Sequence, residues 1–196
     1  MKRLISFKKN FFILIAVFYI LFSFQNVSST TDKGAVISEI YYGPSGAAGL
    51  KEFIELQIVQ DNVNIAGWRL VIDDVTEFSL PFVSGLENFD YVSIYTGSGP
   101  SDLDASDGNA SIYLNVGSEI LTSQGDIVLY DSNNEFVDFV RYNGGSGGSV
   151  LGDWPTSDSG ASALTGESIQ IHGNDFDSSE NWVSSPQTPQ SPNYYY

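Results

Sequence analysis

The stretch Glu52–Val71, EFIELQIVQDNVNIAGWRLV, decides how this chain is read. Ile54, Leu56 and Ile58 alternate with Phe53, Glu55, Gln57 and Val59, the period of two that gives a strand one apolar face and one mixed face. A polar turn through Asp61, Asn62 and Asn64 leads to Gly67, after which Trp68, Leu70 and Ile72 again take every second position. Two strands joined by a short polar connection, one of them carrying a large indole, predict a β-sandwich with Trp68 in its core.

Outward from this pair the pattern repeats. Val36–Tyr42, Glu77–Pro81, Asp90–Thr96 and, more briefly, Ser111–Asn115 read as strands, the second ending at a proline suited to an edge. Asp126–Asp131 and Glu135–Tyr142 make the clearest hairpin, closed by Ser132, Asn133 and Asn134. Glu167–His172 reads as the last strand. Asn181, Trp182 and Val183 then precede SSPQTPQSPNYYY, whose prolines forbid a ladder and predict an extended run over the surface. Gly43–Gly49 and the Asp-rich stretch Gly97–Ala110 are loops, and in the Gly/Ser tract after Tyr142 only Trp154 is a large apolar anchor. With 196 residues, 19 glycines and few residues of helix-forming type, the chain suits one all-β domain.

The amino terminus differs in kind. MKRLISFKKN is a basic head, FFILIAVFYILFSF an apolar run of secretory length, and Val27 and Ser29 are small residues placed for a cut. The expected layout is therefore a signal peptide at 1–29, with an uncleaved anchor as its alternative, a linker at 30–34, the sandwich at 35–193 and a tail at 194–196. The first 29 residues hold four bases and no acid, so the formal charge of −16 becomes −20 once they are removed. Such a surface repels nucleic acid and anionic membranes. Without cysteine there is neither disulfide nor thiolate chemistry.

Taken in order, ISEIYYGP (Ile37–Pro44), EFIEL, AGWRL (Ala66–Leu70), FSLP (Phe78–Pro81), GDIVLYDSNNEFVDFVRY (Gly125–Tyr142) and NW followed by TPQSPN (Asn181–Asn193) resemble the lamin tail domain family, of the exported prokaryotic type. That resemblance implies an immunoglobulin-like β-sandwich and a binding module rather than an enzyme. The family commonly has glycine after the TP pair, where this chain has Gln190.

Candidate chemistry is sparse. GGSGG at Gly144–Gly148 satisfies G-x-S-x-G formally, but no helix follows and a Gly/Ser tract produces the match by chance. His172 is the only histidine, which excludes most zinc centres and leaves a strand-end structural role as the simpler reading. Calcium, which needs only oxygen ligands, suits the loop holding Asp102, Asp104, Asp107 and Asn109, and also Asn174, Asp175, Asp177 and Glu180. Asp and Asn are equally ordinary turn formers. Glu39 and Glu55 fall on neighbouring strands, a carboxylate pair usable in glycoside hydrolysis or, on an outer face, simply wetting the sheet. Tyr41, Tyr42, Tyr91 and Tyr95 are candidate contact residues for a protein or polysaccharide partner if exposed, and core residues if not. The leading expectation is a non-catalytic binding module at the cell surface or in the secreted fraction, without a cofactor unless calcium binds. A calcium-dependent hydrolase and a structural envelope component are the alternatives.

Overall fold

The computed structural model describes residues 34–43, 52–116, 118–145, 151–152, 154, 158, 160–173 and 178–193. All belong to the second of two units into which the chain divides, Asp32–Tyr196; the expected signal peptide, the first four linker residues and the tail 194–196 lie outside them. Among the described residues ten strands form two sheets: β1 (Ala35–Tyr41), β2 (Phe53–Ile58), β3 (Arg69–Ile72), β4 (Thr76–Ser79), β5 (Tyr91–Tyr95), β6 (Asn109–Tyr113), β7 (Gly125–Tyr130), β8 (Phe136–Tyr142), β9 (Ser168–Ile171) and β10 (Trp182–Ser185). The larger sheet has the order β10-β9-β1-β2-β5-β6 and the smaller β4-β3-β7-β8. The only helical element among the described residues is a 3-10 turn at Ser179–Asn181.

Alternation builds the core. Ile54, Leu56 and Ile58 of β2, Val92 and Ile94 of β5 and Ile169 and Ile171 of β9 join Leu70, Ile72, Ile127 and Leu129 in one buried cluster, with Trp68 only 5% exposed inside it. The β7–β8 hairpin closes at the predicted residues: Asp131 Oδ1 accepts the N–H groups of Asn133 and Glu135, and Asn134 takes a φ of 64°. Trp154 is buried edge-on against Phe139, centroids 5.7 Å apart, on the face of the smaller sheet turned away from the core.

Three features depart from the sequence reading. Glu167–His172 does not hold the last strand, because β10 follows it and pairs antiparallel with β9 from Trp182↔Ile171 to Ser185↔Ser168. The brief strand near residue 111 begins at Asn109 and runs parallel to β5, which the long loop before it makes geometrically possible. β1 carries a bulge between Ile37 and Glu39, so Ile37 and Ile40, three residues apart, both join the core. The bulge has a partner in the opposite sheet: Ile37 donates its N–H to Asp138 Oδ2 at 2.6 Å, while Asp138 Oδ1 accepts from Phe139 N–H at 2.7 Å. Asp138→Ala leaves a buried N–H without its acceptor and is expected to lower stability by about 1–3 kcal/mol, whereas Asp138→Asn keeps one of the two acceptor oxygens, which can still serve Ile37, and loses less. Urea unfolding of the two variants checks the order.

Candidate functional site

The residues with the most chemistry lie in one row across the outward face of the larger sheet. The ladder pairs Glu39 of β1 with Glu55 of β2, Glu55 with Ser93 of β5, Ser93 with Ser111 of β6, and Glu39 with Gln170 of β9. An outward row of this kind is usually wet, yet Glu39, Glu55, Ser93 and Gln170 are all 0% exposed. The cover is the carboxy-terminal segment. Glu39 accepts hydrogen bonds from the Thr188 N–H (3.1 Å), the Thr188 hydroxyl (2.9 Å), Ser168 and Gln170. Glu55 accepts from the Gln190 N–H (2.6 Å), Ser93 (2.9 Å) and Ser38 (3.2 Å). Asn193 fastens the segment by donating its amide to the carbonyls of Ser38 and Ile171 at 2.9 and 3.2 Å. The reading of these glutamates as surface-wetting groups is thereby corrected, and so is the expectation that the segment from Ser184 joins no ladder, since Ser184 and Ser185 pair with β9 before the chain crosses the sheet. Thr188 and Asn193 are buried, and the segment roofs the sheet.

The turn that makes this roof explains Gln190. Ser191 N–H donates to Thr188 O at 3.0 Å, with Pro189 and Gln190 at the two central positions and Gln190 at φ 62°. That is the pattern of a type II turn, in which proline suits the first central position and glycine the second. Glutamine thus accepts a conformation glycine takes without strain, and its N–H points at Glu55.

Burial governs the electrostatics. It pushes the Glu55 carboxyl up to about 8, with the Gln190 N–H and the hydroxyls of Ser93 and Ser38 working against the rise and the charge of Glu39 adding to it. Burial also raises Glu39, its hydrogen bonds from Ser168, Thr188 and Gln170 opposing. Glu52, 2% exposed and bonded to the N–H groups of Ile120 and Leu121 and the Thr96 hydroxyl, is raised for the same reason. By contrast Asp126 is ionically paired, accepting Arg141 Nε at 2.7 Å and Nη2 at 2.9 Å. Glu39 and Glu55 are therefore brought together, but beneath a roof that leaves no bed for a sugar ring between them.

The other sequence candidates are placed as follows. Tyr41, Tyr42 and Tyr91 are buried and Tyr95 half-buried. Tyr41, Phe53, Tyr95 and Tyr113 form a ring-to-ring row with centroids 5.9, 5.7 and 4.8 Å apart, and Tyr42 stacks on Tyr142 at 5.0 Å. Tyr41, Tyr42 and Tyr91 therefore pack within the domain, so of the two readings open for them the core one holds and the solvent-facing contact patch does not. In the Asp-rich loop, Asp102 Oδ1 accepts from Asp104 N–H, Asp104 Oδ1 from Ser106 N–H and Asp107 Oδ1 from Asn109 N–H, each two residues on. These oxygens turn the backbone rather than converge on one point. Asn109 sends its amide to the Gln190 carbonyl at 2.7 Å. Among the described residues no group of three or more His, Asp or Glu side chains is placed to hold a metal ion. Asn174, Asp175, Asp177 and Ser146 to Gly148 of the GGSGG string lie outside the described residues. His172 is exposed just past β9, its backbone N–H donating to Asn181 O. A cavity of about 210 Å³ between Tyr42, Ser123, Asn143, Leu164 and Glu167 holds one carboxylate, already bonded to the Ser184 hydroxyl. No described helix is long and apolar enough to cross a membrane.

Sequence reasoning passed over two exposed aromatics, Phe82 at 59% and Phe89 at 69% exposure. Phe89 has a φ of 74° and sits third in the turn Glu87–Asp90, where Asp90 N–H donates to Glu87 O. A bulky residue at that glycine-favouring position costs of order 1–3 kcal/mol. The signal in the sequence was faint: a phenylalanine after asparagine in a polar loop, with no alternating pattern around it.

Two facing antiparallel-rich sheets around an indole, with no open catalytic cleft among the described residues, define an immunoglobulin-like β-sandwich. The family model of the Lamin Tail Domain matches residues 28–144, and the chain belongs to that family, whose domains are non-catalytic immunoglobulin-like modules. The match stops short of β9 and β10, which complete the larger sheet here, and of the roof that covers it. A search of curated proteins returned no match.

Proposed function

We propose that this protein is exported and works at the cell surface or in the secreted fraction as a non-catalytic binding module, its partner a protein or polysaccharide. The observation that carries the reading is the sealing of Glu39 and Glu55. The two carboxylates that the ladder pairs are withdrawn from any substrate by residues 186–193. Membership of a family of non-catalytic interaction domains supports the same conclusion. Export rests on the basic head, apolar run and small residues before position 30.

Expression of the full chain in a secreting bacterial host tests this directly. The mature protein is expected outside the cytoplasm with Thr30 at its amino terminus, and to bind isolated cell-envelope material without hydrolysing it. A cytoplasmic product that retains Met1, or hydrolysis abolished by a single acidic or histidine substitution, overturns the reading.

A further inference from the structure

The end of the sandwich formed by the β2–β3, β4–β5 and β5–β6 connections is one stitched surface. Asn62 N–H donates to Leu86 O and Asn88 N–H to Asp61 Oδ1, joining the first two connections; Ser84 N–H donates to Leu103 O and Ala105 N–H to Ser84 O, joining the last two. From this backbone Phe82 and Phe89 stand 59% and 69% exposed, with Leu103 partly exposed beside Ser84. Phe89 is fixed from both sides: its N–H donates to Ile58 O at 2.8 Å, and Glu87 N–H donates to Asp90 Oδ2 at 2.7 Å. Folding does not ask for that ring. Glycine satisfies the φ of 74° without strain, and the ring covers little of the core.

Charge defines what the rings meet. Residues 59–64, 81–90 and 97–108 hold one, two and three acidic residues and no lysine or arginine. Asp90, Asp102 and Asp104 each commit one oxygen to a local turn and Asp61 one to the Asn88 N–H across two connections, which fixes these charges on the same connections that carry the aromatics. A rigid, exposed phenylalanine in an acidic field complements a cationic surface with an apolar recess, since cations are drawn both to carboxylates and to aromatic faces. A polysaccharide without positive charge gains nothing from the acids.

Resting on the reading of the chain as a binding module, we propose that this loop end docks a basic polypeptide segment, Phe89 entering an apolar position between lysines or arginines and the loop carboxylates pairing with the flanking cations.

The test uses the mature chain and three fluorescent peptides followed by anisotropy: one alternating lysine/arginine with leucine, one of the same charge lacking leucine, and one with glutamate in place of the bases. The lysine/arginine–leucine peptide is expected to bind tightest, at least tenfold weaker to Phe89→Gly, and weaker again as salt rises from 50 to 300 mM. Asp102→Asn/Asp104→Asn keeps the turn-forming oxygens while removing two charges, and is expected to weaken binding several-fold. Phe89→Gly should melt no lower than the parent, which separates lost contact from lost fold. Equal binding of both cationic peptides, or a Phe89→Gly chain that binds as the parent does, overturns the proposal, as does a change in self-association with Phe89→Gly and no effect on peptide binding. Binding of cell-envelope polysaccharide unaffected by Phe89→Gly would leave the module reading standing and this surface refuted. Absence of binding to peptides and envelope material alike would refute both.

Discussion

Raising the pH from 5 to 9 is expected to remove several kcal/mol from the stability of the folded domain, with Glu55→Gln losing much less. In the unfolded chain Glu55 ionises near the ordinary glutamate value of 4.5, while burial in the native state lifts it to about 8. Between those limits the folded protein binds the extra proton. Its stabilising contribution is fully present below about 4.5 and is lost as pH rises through 8. At about 1.4 kcal/mol per unit of displacement, the full window corresponds to roughly 3–5 kcal/mol. Glu39 and Glu52 are raised too and act in the same direction. Burial keeps Glu55 neutral against its hydrogen bonds, and a neutral amide can still occupy them: one oxygen accepts from Ser93 and the Gln190 N–H, while the other faces the Ser38 hydroxyl, which is able to donate onward to the Glu55 carbonyl. An amide reproduces that pattern, with its NH₂ donating to Ser38. Urea unfolding of parent and variant at pH 5, 7 and 9 checks the difference in slope, and parallel pH profiles would count against a buried neutral Glu55.

Ending the chain at Ser185 is expected to have a comparable effect by another route. The truncation takes from Glu39 the N–H and hydroxyl of Thr188, from Glu55 the N–H of Gln190, from Ser38 and Ile171 the amide of Asn193, and from Gln170 its bond to Pro186 O. At about 0.5–1.5 kcal/mol for each of the six bonds, the loss is about 3–9 kcal/mol. For a domain of this size, at roughly 2–4 °C for each kcal/mol, that is a fall of at least about 6 °C in melting temperature. Water then reaches the carboxylates, so the shortened chain should also lose most of the pH dependence of the parent. A chain destabilised by truncation but retaining the full pH slope would mean that something other than residues 186–193 keeps Glu55 dry.

The strands and the core were legible in the sequence because period-two alternation is a local signal. Ile54, Leu56, Ile58 and the β7–β8 hairpin declare their inward faces within a few residues, and Trp68 declares the layer they meet. What local pattern cannot carry is who covers the other face. Glu39 and Glu55 stand opposite apolar neighbours as wet residues would, and their roof comes from residues 149 and 135 positions further on. A hint existed: the outward positions beside them hold Ser38, Ser93, Ser168 and Gln170, small or neutral hydrogen-bond donors, where a solvated acidic face would draw lysine or arginine. The bulge at Ile37, paired with Asp138 in the other sheet, was equally silent, since it depends on a contact 101 residues away. Phe89 escaped notice because an exposed aromatic in a turn breaks no periodicity.

The roof over Glu39 and Glu55 is what sets this domain apart from an open sheet, and native-state hydrogen exchange at the Gln190 amide reads it alone. Bonded to Glu55 at 2.6 Å beneath the outer face, that proton is expected to exchange as slowly as the amides of β2 at pH 6 and to lose protection selectively as the pH passes 8. Exchange at the rate of an unstructured peptide at pH 6, with β2 still protected, would show that the segment does not cover the sheet.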